Sequence, residues 1–325
     1  MTTNLFNQQH RVSHISGRAL FLSTIGSFLG ALLTSLVIFQ YLGVAWAVVI
    51  NCILLFALIL YISPKSYFSW LKILGLSASV IFILLLNINT ERDQFMLTNN
   101  YANYRVVESL DFSRMLQINN SSSSFLTSDK KSFPYIELIR RILFDELKLA
   151  HKTILVVGAG GFTLTAAGTH ENDVTYVDID PQIKEIAESH FLKDKIQGKF
   201  VGEDARSFLQ NTRNTYDVIL SDSYSHQNTI PQALLTAEYF QALSQHLKPQ
   251  GFAIINIIGA PFFGNDYARI VFNTIHAVFP YCAVIPLGYQ HTANIIYICP
   301  KAQLTASIYR DDLNTSTLDH FKASD

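Results

Sequence analysis

The chain has 325 residues, of which 49% are hydrophobic and only 15% charged, with a formal net charge of −1. Soluble domains average about 25% charged residues, so a wholly soluble globular protein is excluded, and the near-neutral balance leaves no basic footprint for nucleic acid. Three cysteines, one of them (Cys52) inside an apolar run, do not make a disulfide framework.

The charge deficit lies at the front. Ala19 to Phe39 and Val44 to Ile62 carry no charge, and a third apolar run covers about Tyr67 to Ile88 with only Lys72 near its start. Each can cross a hydrocarbon core, which takes roughly 20 residues. Three such runs in succession argue against buried soluble helices and against a cleaved leader. Residues 1–18 read as a tail and 19–88 as three transmembrane helices. Gly26 and Gly30 form a G-x-x-x-G that suits close helix contact. Arg11, Arg18, Lys65 and Lys72 against Glu91, Arg92 and Asp93 would put the large domain outside by the positive-inside rule. The reading adopted is nevertheless a multi-pass inner-membrane protein with a cytoplasmic domain.

From about residue 100 to 130 short strand-like stretches, YRVVESL, SRMLQI and SFLTS, alternate with polar turns at Asn119-Asn120 and Ser121 to Ser124. They predict a small antiparallel β layer. A helix follows from Pro134 to about Leu149, with Ile136, Leu138, Ile139, Ile142, Leu143 and Leu147 at helical spacing, and proline suits its first turn.

Residues 131–308 then alternate between strand and helix. Strands are predicted at 153–157, 174–178, 198–202, 216–221 and 251–257, and helices at 181–191, 204–211, 232–247 and 265–278. Alternation of this kind argues an α/β fold with a parallel sheet covered on both faces. The end differs, because CAVIPL and NIIYICP read as an antiparallel strand pair. Cys282 and Cys299 on these strands read as free core thiols. The tail, 309–325, is polar.

The centre of the chain is Thr153 to Pro181, a strand, a glycine turn (Gly158-Ala159-Gly160-Gly161), a segment able to start a helix, and a second strand ending on Asp178. Glycines let backbone approach a ligand, and helix amides would point into the same space. Asp178, twenty residues after Gly158, can accept both hydroxyls of a ribose. The dinucleotide pattern G-x-G-x-x-G fails at Thr163, and G-x-G-x-G fails at Phe162. Ligands of open parallel sheets sit at the carboxyl ends of the strands. There the chain places the glycine turn, Asp178, Asp204 and Asp222 in succession, and this convergence predicts a nucleoside-cofactor site. The competing reading for each carboxylate alone is a helix N-cap.

These residues resemble the polyamine aminopropyltransferase family (spermidine and spermine synthases), and more closely its membrane-fused bacterial branch. The resemblance covers about Tyr101 to Pro300. FPYIEL resembles the segment with a catalytic tyrosine, here Tyr135; VDID the ribose-binding strand end, here Asp178; and Val201 to Asp204 the adenine-binding stretch. YDVILSDS resembles the strand that ends in the catalytic aspartate, here Asp222. The stretch Ile230-Pro231 through Thr236 to Phe240 matches the membrane-fused branch.

The resemblance implies a small β layer before a Rossmann-like, class I methyltransferase-type domain, often dimeric. It implies decarboxylated S-adenosylmethionine as co-substrate, with Gly158, Gly160, Gly161, Asp178 and Asp204 binding it. A polyamine or other small amine would be the acceptor, and no metal is implied. The chain resembles the C-terminal part of a longer fused protein, which leaves open a separate membrane subunit.

There are departures. The aspartate that holds the ammonium of the decarboxylated donor falls at Gly161, a second acceptor-holding aspartate at Ser225, and an amine-contacting glutamine at Ile136. His226 can replace a lost acid or stand in solvent. Methyl transfer from intact S-adenosylmethionine and nucleoside binding without turnover are the rival readings.

Overall fold

A computed structural model describes residues 9–62, 70–224, 230–288 and 292–301. Helix α1 (Gln9–Leu33) continues through a π-helical turn, Thr34–Ile38, into α2 (Phe39–Tyr41); α3 (Gly43–Ile62) and α4 (Trp70–Asp93) follow. Three stretches, Ser16–Tyr41, Gly43–Ile62 and Ile73–Thr90, are long and apolar enough to cross a membrane.

Helix α4 runs directly into β1 (Gln94–Thr98), which pairs with β2 (Asn103–Glu108), β3 (Arg114–Ile118) and β4 (Ser121–Leu126) in one antiparallel sheet. Two expectations are corrected here. The serine run is strand β4, not a turn, and β1 lies in what reads as the flank of the third apolar run.

The second sheet has the order β10-β11-β9-β8-β5-β6-β7. Its parallel part is β5 (Thr153–Val157), β6 (Asp173–Asp178), β7 (Lys199–Gly202), β8 (Tyr216–Ser221) and β9 (Leu247–Gly259). The antiparallel end is β10 (Ala283–Pro286) and β11 (Ala293–Pro300), as the sequence predicts. Covering helices are α5 (Pro134–Arg140), extended by a π-helical turn Arg141–Glu146, α6 (Ile183–Ile186), α7 (Ala205–Asn211), α8 (Ala237–His246) and α9 (Asp266–His276). The fold is therefore α/β, with a small antiparallel sheet before a Rossmann-like one.

Both faces of the large sheet are buried, and strand alternation divides its side chains between two cores. Ile154 and Val156 pack with Leu116, Leu126, Ile139 and Leu143 on the side of the small sheet. Leu155 and Val157 pack with Tyr239, Phe240 and Leu243 on the other. This sandwich brings β4 and α5 against the carboxyl ends of β5 and β8.

The helix expected after the glycine turn is a single 3₁₀ turn, Thr163–Thr165. Loop amides, rather than a helix terminus, therefore face the site. Cys282 and Cys299 are disulfide-bonded, which corrects their reading as free thiols. The cause is register. Ala283 opposes Ile298, so the two cysteines stand directly across from each other with Cα atoms 4.2 Å apart.

Candidate active site

The glycine turn is built by close approach. Gly158 has φ +93°, and a Cβ there would lie 2.3 Å from the Asp222 carbonyl oxygen. The Gly158 amide donates to Val177 O at 2.9 Å and the Asp222 amide to Val157 O at 2.9 Å, so the ends of β5, β6 and β8 are drawn together. Gly160 has φ +48° and lies under the serines of β4. Gly161 is packed from behind: a Cβ there would meet Phe191 at 2.3 Å and Ser124 Cβ at 2.8 Å. Its amide donates to Ser124 Oγ at 2.8 Å. No side chain fits at the position where the family resemblance expects an acid, and the wall it would occupy is made of serine.

Asp178 accepts the Ala159 amide at 2.9 Å on Oδ2 and the Asp180 amide at 3.1 Å on Oδ1. Burial pushes its carboxyl up, against the opposing pull of those amides. Asp180, 1% exposed, is the hub behind it. It accepts from Asn99 at 2.6 Å, from the Tyr104 hydroxyl and from the Gln182 amide at 2.8 Å. Burial, then the Asp180 contact, raises Tyr104 and keeps it a donor. Asp204 is the N-cap of α7, accepting the Arg206 and Ser207 amides at 3.1 and 3.0 Å. It lines the same hollow as Asp178, so capping and a place at the site are combined.

Asp222 sits between two donors. Its Oδ2 accepts the Tyr135 hydroxyl at 2.9 Å and its Oδ1 accepts Asn256 Nδ2 at 2.8 Å. Burial raises its carboxyl, outweighing both donors. Tyr135 is raised well above the ordinary phenol value by burial and by the Asp222 charge, so it donates and does not ionise. The Tyr224 hydroxyl donates to Asn256 O at 2.9 Å and accepts the Ile258 amide at 2.7 Å, fixing β9 beside Asp222.

Asn256, Asn294 and Asp180 are not singled out by the sequence, whereas Tyr224 belongs to the polar end of the fourth parallel strand, Asp222 to His226. A signal existed for Asn256, an amide in the apolar run Ile254 to Ile258. Its Oδ1, like that of Asn294, is buried without a hydrogen-bond partner.

Asp180, Tyr224, Asn256 and Asn294 join the glycine turn in lining one cavity of about 750 Å³ at the carboxyl ends of the strands. That is the size of a small-molecule site. Gly158, Gly160, Asp178, Asp204, Asp222 and Tyr135 are thus brought together, while Gly161 stands behind the turn. Ser225 and His226 lie outside the described residues. Among the described residues no cluster of His, Cys, Asp and Glu could hold a metal ion.

The geometry agrees with what the chain is similar to. A family model described as "Spermine/spermidine synthase domain" matches residues 132–307. The polyamine aminopropyltransferase of Sulfurisphaera tokodaii is 26% identical over 221 residues, 65% of this chain and 69% of that protein. The N-terminal histidine N-methyltransferase of Emericella nidulans is 31% identical over 174 residues, 50% of this chain and 30% of that protein. The chain thus spans less than a third of the second relative. A probable spermidine synthase from Corynebacterium glutamicum superposes with a TM-score of 0.55 at 22% identity, covering 65% of this chain and 81% of that one, and shows the fold. Matched by the family model over more than half its length, the chain belongs to the spermine/spermidine synthase domain family of transferases.

Proposed function

We propose that this protein is a membrane-attached, spermidine synthase-like aminopropyltransferase. It would pass the aminopropyl group of decarboxylated S-adenosylmethionine to a primary amine. The observation that carries the reading is Asp222, held by Tyr135 and Asn256 beside the glycine turn. Alkyl amines titrate near pH 10, so the acceptor arrives as an ammonium and must lose a proton to attack. Asp222 takes that proton. The nitrogen lone pair then forms the new C–N bond as the C–S bond breaks, and its electrons turn the sulfonium into a neutral thioether. Asp178 would accept the ribose hydroxyls, and Asp204 would lie beside the base. Gly158 and Gly160 supply side-chain-free approach to the nucleoside.

A second reading, methyl transfer from intact S-adenosylmethionine to an amine, is favoured by one observation. Gly161 has no room for an acid, so nothing there repels a donor carboxylate or holds a donor ammonium. Incubation with each donor form and a mixture of polyamines, followed by mass spectrometry, separates the two. Aminopropylated products with release of methylthioadenosine are expected. Methylated products with the intact donor alone would give the site to the second reading.

A further inference from the structure

Two carboxylates stand at the carboxyl end of β6, Asp178 and Asp180, and both line the cavity. Asp178 is the one placed for a ribose. Asp180 gives its oxygens to protein donors instead. Its Oδ2 accepts Asn99 Nδ2 at 2.6 Å and the Tyr104 hydroxyl, and its Oδ1 accepts the Gln182 amide at 2.8 Å. Among the described residues no lysine, arginine or histidine lines the cavity, so neutral donors alone meet this charge. A buried carboxylate without a counter-ion is a poor source of stability.

The backbone of Asp180 shows another use. Its amide donates to Asp178 Oδ1 at 3.1 Å, while the Ala159 amide donates to Oδ2 at 2.9 Å. Both oxygens of the ribose-facing carboxylate are thereby fixed in direction. The Asp180 side chain pins the loop that carries one of those amides. Asn99, 8% exposed, holds that side chain from the turn between β1 and β2. Its own Oδ1 accepts the Tyr101 and Ala102 amides at 2.9 Å each, which aims Nδ2 at Asp180 and at Gln182 Oε1, 2.8 Å away.

The cluster continues into the apolar helices. Gln182 Nε2 donates to Gln40 O and Asn100 Nδ2 donates to Gln40 Oε1, each at 3.3 Å. Gln40 lies in the last turn of the first candidate span. Just beyond it Gly43, at φ +76°, opens α3 against the end of β1, where a Cβ would lie 3.3 Å from Leu97 Cδ1. Hydrogen bonds linked in this way reinforce one another. Asn99, Gln182 and Gln40 do not line the cavity, so any effect they have on a ligand passes through Asp180 and Asp178.

We propose that Asp180, Asn99 and Gln182 are positioning residues for the nucleoside donor, and that through Gln40 the turn between the first two apolar spans is part of the donor site. The inference rests on the transferase reading for its donor and extends that site into the anchor. Donor affinity then depends on this junction, and by reciprocity of linkage bound nucleoside tightens the junction.

The full chain in phosphatidylcholine nanodiscs tests this, with methylthioadenosine as the probe. Its Kd is read by titration calorimetry, and amide hydrogen exchange is followed at residues 40–43 and 99–102 with and without it. Saturation should slow exchange at both stretches roughly fivefold or more. Gln182→Leu removes the side-chain bonds to Asn99 and Gln40. It should raise Kd and the donor KM roughly tenfold, abolish the slowing at 40–43, and leave kcat and the acceptor KM within about twofold. Asn99→Ser keeps a turn-forming side chain but loses the bond to Asp180, and should raise Kd likewise. An unchanged Kd in both variants would remove the cluster from donor binding. Donor and acceptor KM rising together would mark general damage and overturn positioning. Unchanged exchange at 40–43 on saturation of the wild type would detach the anchor from the site. Methylthioadenosine failing to bind the wild type would overturn the nucleoside site and this inference with it. Binding without aminopropyl transfer would sink the transferase reading alone, with Kd and exchange still deciding this one.

Discussion

Asp222 is held in opposition. Two donors favour its charged form, yet burial raises its carboxyl above the usual carboxylate value. A base must be ionised to work, so transfer should fall as pH drops through that raised value. The acid limb of kcat/KM is expected above 3.8, the ordinary value for an aspartate. The same shift affects the fold with the opposite sign. The protonated form is favoured in the native state, so the stability tied to this residue is present at low pH and lost as pH rises through the raised value. Asp222→Asn should therefore cost roughly 10²–10⁴-fold in transfer, leave nucleoside binding in place and raise the melting temperature at neutral pH. Unchanged turnover would take Asp222 out of the chemistry. Gly161 makes a second test at this scale. Gly161→Asp drives a side chain into Phe191 and Ser124, and overpacking costs roughly 1–3 kcal/mol. A lower denaturant midpoint is expected, with no gain in use of the decarboxylated donor.

At the scale of elements, the site depends on α5 being fastened to the loop after the glycine turn. Arg140, 9% exposed, does this. Its guanidinium donates to Leu164 O at 3.1 Å, to Lys130 O at 2.9 Å, to Thr163 O, and to Glu137 at 2.7 Å. Burial lowers its pKa, but it remains paired. Arg140→Met orphans these carbonyls, and urea denaturation should register a loss of roughly 1–3 kcal/mol.

How much of this was legible follows from the kind of information each element needs. The parallel strands were readable because both faces are buried and each runs as an apolar stretch between turn residues. The first half of β4 was not, although SFLTS gave its second half, because Ser121 to Ser124 have turn chemistry by themselves and become strand only through pairing with β3. The 3₁₀ turn replaced the expected helix where Phe162, at φ 56°, and Thr163 to Thr165 bury themselves under the small sheet. Asp178, Asp204 and Asp222 were legible as strand-end residues, Tyr135 only through the family resemblance, and all four line the cavity. Asn256 and Asn294 were not, since their meaning lies in cross-strand placement and in oxygens left unpartnered.

For the whole molecule, register decides another matter. Residues Cys282 and Cys299 meet only because β10 and β11 pair as they do; a one-residue slip would send the two side chains to opposite faces. The disulfide argues for an oxidising compartment, where such bonds mainly persist. The nucleoside donor still argues for the cytosolic side. A phosphatase fused to the C-terminus of the chain should therefore be inactive in cells, and an active fusion would put the domain outside, together with its disulfide.

Helix α4 ends at Asp93 and β1 begins at Gln94, with no residue between them. No linker separates the helix from the small sheet. With α4 in a bilayer, the mouth of the cavity would stay at one fixed height above the lipid. A flexible Gly-Ser insertion between Asp93 and Gln94 would be the change that releases it.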